Sequence, residues 1–366
     1  MDDKRKARVL AYYLPQFHPI PENDKWWGKG FTEWTNVGKA KRYFPGHYQP
    51  RVPADLGYYD LRVPETREAQ ANLAREYGIE GFVYWHYWFG NGKRLLERPF
   101  NEVLASGKPD FPFALAWANE TWKGFWHGLK DRNVLIEQQY PGDEDYVNHF
   151  NAVLPAFKDP RYITCEGKPL FFVYRPLELP DVRHFISLWQ ELAKKNGLRG
   201  IAFVSIRSEL YDLDQSKKVL SETLADGFSF LNVHNNFRLA LMKRRWRALR
   251  KIFHEKLHWI PDLRWYSSAE YESPIDSFDA VIPGLYSNWN HTPRTKREGK
   301  VVIGATPARF GQVLRKAVEG VQGKPFERRF VMIKSWNEWA EGNYLEPDLR
   351  YGHQYLQAVK DAVVIE

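Results

Sequence analysis

The sequence predicts an α/β fold, a single (β/α)8 barrel with long loops after its strands. Three observations carry that expectation. Eight short apolar runs are spread along the whole chain, and helix-like segments lie between them. The length, 366 residues, suits one such barrel, a fold of about 250 residues that reaches beyond 400 with insertions. Residues 1–366 are therefore read as one catalytic domain.

The strand candidates are 8–14 (RVLAYYL), 81–87 (GFVYWHY), 111–117 (FPFALAW), 170–174 (LFFVY), 201–205 (IAFVS), 228–233 (FSFLNV), 280–286 (AVIPGLY) and 330–335 (FVMIKS). They are near-continuous apolar runs rather than alternating ones, as parallel strands covered on both faces should be. The segment PETREAQANLAREYG opens on Pro and Glu and closes on Gly78. DVRHFISLWQELAKKNG carries lysines in its last turn and closes on Gly197, and PARFGQVLRKAVEG precedes the eighth run. These are helix start and stop signals. The sixth and seventh units have long connections. A doubly wound sheet would carry a glycine-rich turn after its first strand, and LPQFHPIP follows instead.

Composition narrows the function classes. Hydrophobic residues make up 43% and aromatics 16%, with 15 Trp, 20 Tyr and 23 Phe. That many Trp and Tyr, each with a polar atom to satisfy, suits a site that stacks ring-shaped ligands. Cys165 is the one cysteine, which excludes a disulfide framework and a cysteine zinc site. No apolar run is long enough to span a bilayer. The opening MDDKRKARVL runs directly into a strand candidate, so a cytoplasmic location is expected.

The net charge is +8, and Lys243, Arg244, Arg245, Arg247, Arg250 and Lys251 account for six of it. What remains is too small for a basic face, so no nucleic-acid partner is expected. Met242, Trp246, Leu249, Phe253 and Leu257 recur at helical spacing. Residues 242–257 thus read as a basic amphipathic helix. It is either a solvated outer helix or a peripheral contact with an anionic membrane.

In such a barrel the active site forms at the C-terminal ends of the strands. Those ends carry Gln16 and His18, then Trp34 in the first loop, His86 and Trp88, and Trp117, Asn119, Glu120 and Trp122. Arg175, Arg207, His234, Asn235, Asn288 and Trp289 follow, and the eighth delivers Trp336, Asn337, Glu338 and Glu341. Indole faces stack on sugar rings and fixed polar groups read hydroxyls, so the set describes a carbohydrate cleft. Each Trp alone would fit a core, and together they favour a cleft. Asn119 is also a capping candidate, and His18 also suits a hydrogen-bonded loop position.

The sharpest motif is SWNEWAEG at 335–342. Glu338 and Glu341, three apart, project to one side if the segment turns helically. In a dry aromatic pocket two such carboxyls acquire different pKa values, one serving as acid and the other as base. The plainer alternative is a helix N-terminus that favours acids. No cofactor or metal is expected. The Asp-Leu-Asp and Asp-Glu-Asp triplets at 212–214 and 143–145 lie at no evident nucleotide-binding sheet, and no P-loop, GxGxxG or HExxH is present.

LAYYLPQFHPIPENDKWWGKGFTEWTNV, GFVYWHYWF, FALAWANETW and SWNEWAEGNYLEP resemble the WbsX-type proteins of lipopolysaccharide biosynthesis, described as glycosyltransferases. Through the last motif the chain is also similar to glycoside hydrolase family 99, the endo-α-mannosidases and endo-α-mannanases. In family 99 that signature reads Asn-Glu-Trp-His-Glu-Gly, and Ala340 stands here in place of the His. The resemblance implies retaining chemistry on α-manno- or α-rhamno-configured bonds of a bacterial polysaccharide. It implies Glu338 as the base that deprotonates the sugar's own 2-hydroxyl and Glu341 as the acid at the leaving oxygen. A transferase or transglycosylase of surface-polysaccharide assembly, and a non-catalytic carbohydrate-binding protein, are the alternatives.

Overall fold

A computed structural model describes residues 5–124, 133–207, 229–233, 237–238, 251–257, 259–266 and 281–365. Eight parallel strands, β1 (Arg8–Tyr13), β2 (Gly81–Trp88), β3 (Phe113–Trp117), β4 (Lys168–Val173), β5 (Ala202–Arg207), β6 (Ser229–Val233), β7 (Val281–Tyr286) and β8 (Phe330–Lys334), pair in sequence order. β8 also pairs with β1, Val331 opposite Val9, so the sheet closes on itself. The expected barrel is the observed one. The third strand begins two residues later than its apolar run, after Pro112, and the eighth ends at Lys334.

Around the barrel and its mouth run α1 (Pro21–Trp27), α2 (Glu33–Gly38), α3 (Pro64–Glu76), α4 (Arg98–Ser106), α5 (Asp143–Phe157), α6 (Val182–Lys195), α7 (Pro307–Gly320) and α8 (Gln354–Val363). Their starts follow local chemistry. Asp181 accepts from the His184 N–H at the head of α6, and Thr306 accepts from Arg309 at the head of α7. Both bonds satisfy helix donors that have no partner within the helix. α1 and α2 fold within the long loop after β1, where Thr32 and Thr35 form a reciprocal cap.

Strand alternation divides the aromatic residues into two layers. Facing outward, Phe171 and Phe203 meet Trp189 and Phe185 of α6. Facing inward, Tyr12 stacks on Trp85 with centroids 4.8 Å apart and meets Phe172 edge-on at 6.0 Å. Burying each such ring contributes about 1.5–3 kcal/mol. The foot of β2 needs Gly81, because a Cβ there would lie 2.4 Å from the Pro112 carbonyl oxygen and 2.8 Å from Ile163 Cδ1.

Most of the basic segment, 242–250, lies outside the described residues, as do His234 and Asn235. Lys251–Lys256 form a π-helical turn rather than the α-helix expected there. The apolar side chains Ile252 and Leu257 are 43% exposed and Trp259 57%, so they are not tucked against the barrel. Among the described residues no helix is long and apolar enough to cross a membrane.

Candidate active site

β8 leads into a tight ribbon. Asn337–Glu338 pairs antiparallel with Asn343–Tyr344 around a 3-10 turn, Trp339–Glu341. Ser335 Oγ accepts from the Glu338 N–H at 2.9 Å and donates to the Asn343 carbonyl at 2.8 Å. The Asn337 amide clasps Leu14 at the end of β1, accepting from its N–H at 2.7 Å and donating to its carbonyl at 3.1 Å. Trp339 stacks on Tyr344 at 3.8 Å and donates its Nε1–H to Glu346 at 2.5 Å. Gly342 closes the turn at φ 68°.

With the ribbon fixed in this way, Glu338 and Glu341 both line one cavity of about 380 Å³ at the C-terminal mouth of the barrel. Its walls include Trp85, Tyr87, Trp122, Tyr174 and Trp289, and its polar groups include Gln16, Glu120, Arg175, His291, Arg294 and Lys334. These groups come from the ends of β1, β2, β3, β4, β7 and β8.

The charges form a chain. Arg294 donates to Glu341 at 2.5 Å, stands 3.7 Å from Glu338, and pairs on its other side with Glu33 at 3.2 Å. Lys334 Nζ lies 3.9 Å from Glu338 and 3.7 Å from Glu341. Burial, helped by the charge of Glu341, pushes the Glu338 carboxyl up to about 7 against the pull of Lys334 and Arg294. For Glu341 burial also disfavours the charge, but Lys334, Arg294 and His291 outweigh it and hold the group well below the usual carboxylate range. Of the two, Glu338 is the carboxyl that holds a proton more readily. Burial holds His291 near 4, so its ring is neutral.

Across the cavity, Glu120 pairs with Arg175 at 3.1 Å, and Arg175 with Glu178 at 2.9 Å. Burial raises the Glu120 pKa against the opposing pull of Arg175.

Of the residues singled out in the sequence, Gln16, Glu120, Trp122, Arg175, Trp289, Glu338 and Glu341 meet at this cavity. Other described candidates are placed elsewhere. His86, Trp88 and Trp117 have the opposite parity from Trp85, Tyr87 and Ala118, and so face the helices. His86 meets His149 of α5 at 2.8 Å, Trp88 stacks on His149 and donates to Asp145, and Trp117 donates to the Trp88 carbonyl. Trp336 packs on Phe82 in that same outward layer, and Asn337 is the clasp on Leu14. Asn119 holds the end of β4, donating to the Arg175 carbonyl and accepting from its N–H, each at 2.8 Å. Trp34 packs between Phe17 and Trp339 and donates to the Tyr59 carbonyl. His18 is buried in the first loop, where desolvation lowers its pKa to about 4.

Sequence reasoning missed Trp85, Tyr87, Tyr174, His291, Arg294 and Lys334. Lys334 had a visible signal, a cation at the end of an apolar strand four residues before Glu338. Arg294 had none, since it sits in the polar stretch NHTPRTKREGK.

The family described as Glycosyltransferase WbsX matches residues 9–359. A protein of Xanthomonas campestris pv. campestris (strain B100), described as Uncharacterized protein WxcX, is 36% identical over 360 residues, which cover 98% of this chain and 50% of that protein. Its counterpart in a second strain is likewise 36% identical, over 361 residues. The chain spans about half the length of these curated relatives. Among solved structures, a glycoside hydrolase-like protein superposes with a TM-score of 0.62 at 14% identity, covering 98% of this chain and 94% of the other. The family 99 endo-α-mannosidase of Bacteroides thetaiotaomicron superposes with a TM-score of 0.53 at 14% identity, covering 97% and 95%. At such identities the likeness is one of fold.

Proposed function

Because the chain belongs to the WbsX glycosyltransferase family, we propose that it is a carbohydrate-active enzyme acting on α-manno- or α-rhamno-configured bonds of a bacterial polysaccharide. The observation that carries this reading is the Glu338–Glu341 pair, two buried carboxyls that line one aromatic-walled cavity beside Arg294 and Lys334. One carboxylate takes the proton of the sugar 2-hydroxyl, and O2 attacks C1 from the face opposite the leaving group. The other carboxyl protonates the departing oxygen. Water then opens the 1,2-anhydro sugar, and two inversions give retention. Such chemistry lies outside the usual nucleophile scheme, and it requires O2 and the leaving group to be trans.

The resemblance makes Glu338 the base and Glu341 the acid. The contact of Arg294 with Glu341 favours the reverse, because it leaves the resting proton on Glu338. Hydrolysis is the first reading, supported by the paired carboxyls. Transfer to a second sugar in the same cleft is the second, supported by the family's description. Peripheral contact of the basic segment 242–257 with an anionic membrane on the cytoplasmic side belongs to the same reading. The exposed Ile252, Leu257 and Trp259 support it, and salt-sensitive co-sedimentation with anionic vesicles tests it.

The deciding experiment is product analysis by mass spectrometry with a panel of α-mannosides and α-rhamnosides, with and without nucleotide sugars. Shortened oligosaccharides without added nucleotide are the expected result. Elongation that requires a nucleotide sugar would select the transferase. Binding with no conversion in either condition would leave a carbohydrate-binding protein.

A further inference from the structure

A second cavity, of about 190 Å³, lies behind the catalytic turn, bordered by the loop after β1, the residues that lead into α7, and Arg350 and Tyr351. It shares a wall with the first. Arg51 Nη1 donates to the Gly342 carbonyl at 2.9 Å, and the Asn290 N–H donates to the Glu341 carbonyl at 2.6 Å.

Two guanidinium groups line this cavity, Arg51 and Arg350. Arg51 is 4% exposed, and its Nε has no hydrogen-bond partner. It lies beside the rings of Tyr48 and Tyr344, with 5.4 and 5.3 Å to their centroids. Arg350 lies exposed over Tyr48 and Tyr351 at 4.8 and 5.2 Å. Neither guanidinium forms a salt bridge among the described residues. Tyr344 and Asp348 offset the burial of Arg51 and raise its pKa, and the Asp348 oxygens also accept from the Tyr344 hydroxyl and from the Arg350 and Tyr351 N–H groups. Gly304, Ala305 and Thr306 line the same cavity and lead into the N-terminus of the 14-residue α7. That is the positive end of a helix dipole, a place that favours anions. The site therefore gathers a buried guanidinium with a free donor, a second guanidinium at the rim and a helix start.

We propose that this cavity binds a phosphate group, carried either by inorganic phosphate or by a sugar phosphate. The group sits between Arg51, Arg350 and the start of α7, beyond the wall that carries Glu341.

The test uses the full chain, titrated with inorganic phosphate and separately with glucose 1-phosphate, against sodium chloride at matched ionic strength. Binding is read by calorimetry and by the rise in Tm. Arg350 is exposed, so Arg350→Gln should fold normally, with an unchanged Tm in chloride. Saturable binding that weakens at least tenfold in Arg350→Gln is the expected result. If glucose 1-phosphate alone saturates, the site is one for sugar phosphates; if both do, the phosphate group suffices. No saturable binding of either probe beyond the chloride control, or binding that Arg350→Gln leaves unchanged, overturns the proposal.

Discussion

Glu33 and Arg294 form an ion pair at 3.2 Å in which Glu33 is wholly buried, although 261 residues separate them. The pair joins the loop after β1 to the turn after β7 and holds the far side of the guanidinium whose near side touches Glu341.

Breaking that pair should be costly in one direction. Arg294→Gln strands Glu33 without a cation, and removing one partner of a buried ion pair costs roughly 3–5 kcal/mol. Adding Glu33→Gln should recover part of the loss, because the stranded charge goes with it. Urea denaturation of the two single variants and the double variant measures the coupling. Strictly additive losses would show that the two residues act independently.

The division of labour between the carboxyls is decided by leaving groups. Glu338→Gln and Glu341→Gln should each lower turnover by roughly 10²–10⁴-fold on an unactivated glycoside. An activated aryl leaving group needs little protonation, so it should rescue only the variant that lacks the acid. Rescue of Glu341→Gln supports the order implied by the family 99 resemblance. Rescue of Glu338→Gln supports the order favoured by the contact of Arg294 with Glu341.

In the proposed mechanism the pair works with a single proton, whichever carboxyl is the acid. Glu341 keeps its charge to low pH, while Glu338 titrates near 7. The kcat/KM profile should therefore be flat on the acid side of 7 and fall about tenfold per pH unit above it. Stability follows the same group. Its folded pKa lies above the ordinary 4.5, so between those values the folded state holds a proton that the unfolded state has lost. Stability should then be greatest near or below pH 4.5 from this group and decline as pH rises to about 7. Glu346, raised by burial to about 7 as well, adds a slope of the same sign. Glu338→Gln should flatten part of the decline, as measured by Tm from pH 5 to pH 8. A wild-type profile that rises over this range would contradict the assignment.

Gly342 tolerates no side chain without a shift of its neighbours. A Cβ there would stand 2.9 Å from Asn290 Cβ and 3.0 Å from Arg51 Cζ, at a φ of 68°. The left-handed conformation alone costs a non-glycine residue about 1–2 kcal/mol. Gly342→Ala should lower Tm and reduce turnover, since the turn it closes carries Glu341. Unchanged melting and activity would mean that the turn relaxes freely.

The barrel was legible in the chain because β1 to β4, β7 and β8 are buried on both faces and read as nearly unbroken apolar runs. That same continuity concealed which residues face the lumen. In GFVYWHYW every second residue points to the helices, and nothing in its composition distinguishes Trp85 and Tyr87 from His86 and Trp88. The glutamate pair could be read because strand eight delivers both carboxylates within four residues. Arg294 could not, because it reaches the site from a polar loop, and only the closed barrel brings it beside Glu33. Asn119 and Asn337 were chosen as polar groups at strand ends. Both use their amides on neighbouring backbone instead, as a buried amide must when its donors and acceptors need partners.

The clasp between Asn337 and Leu14 spans 323 positions of sequence. It lies at the seam where the last strand meets the first, and the two carboxylates follow directly from that seam. In a nascent chain the proposed carboxylate pair can therefore reach the cavity only after the eighth strand has been synthesised and has docked on β1. On the proposed assignment, a chain truncated before β8 should be inactive.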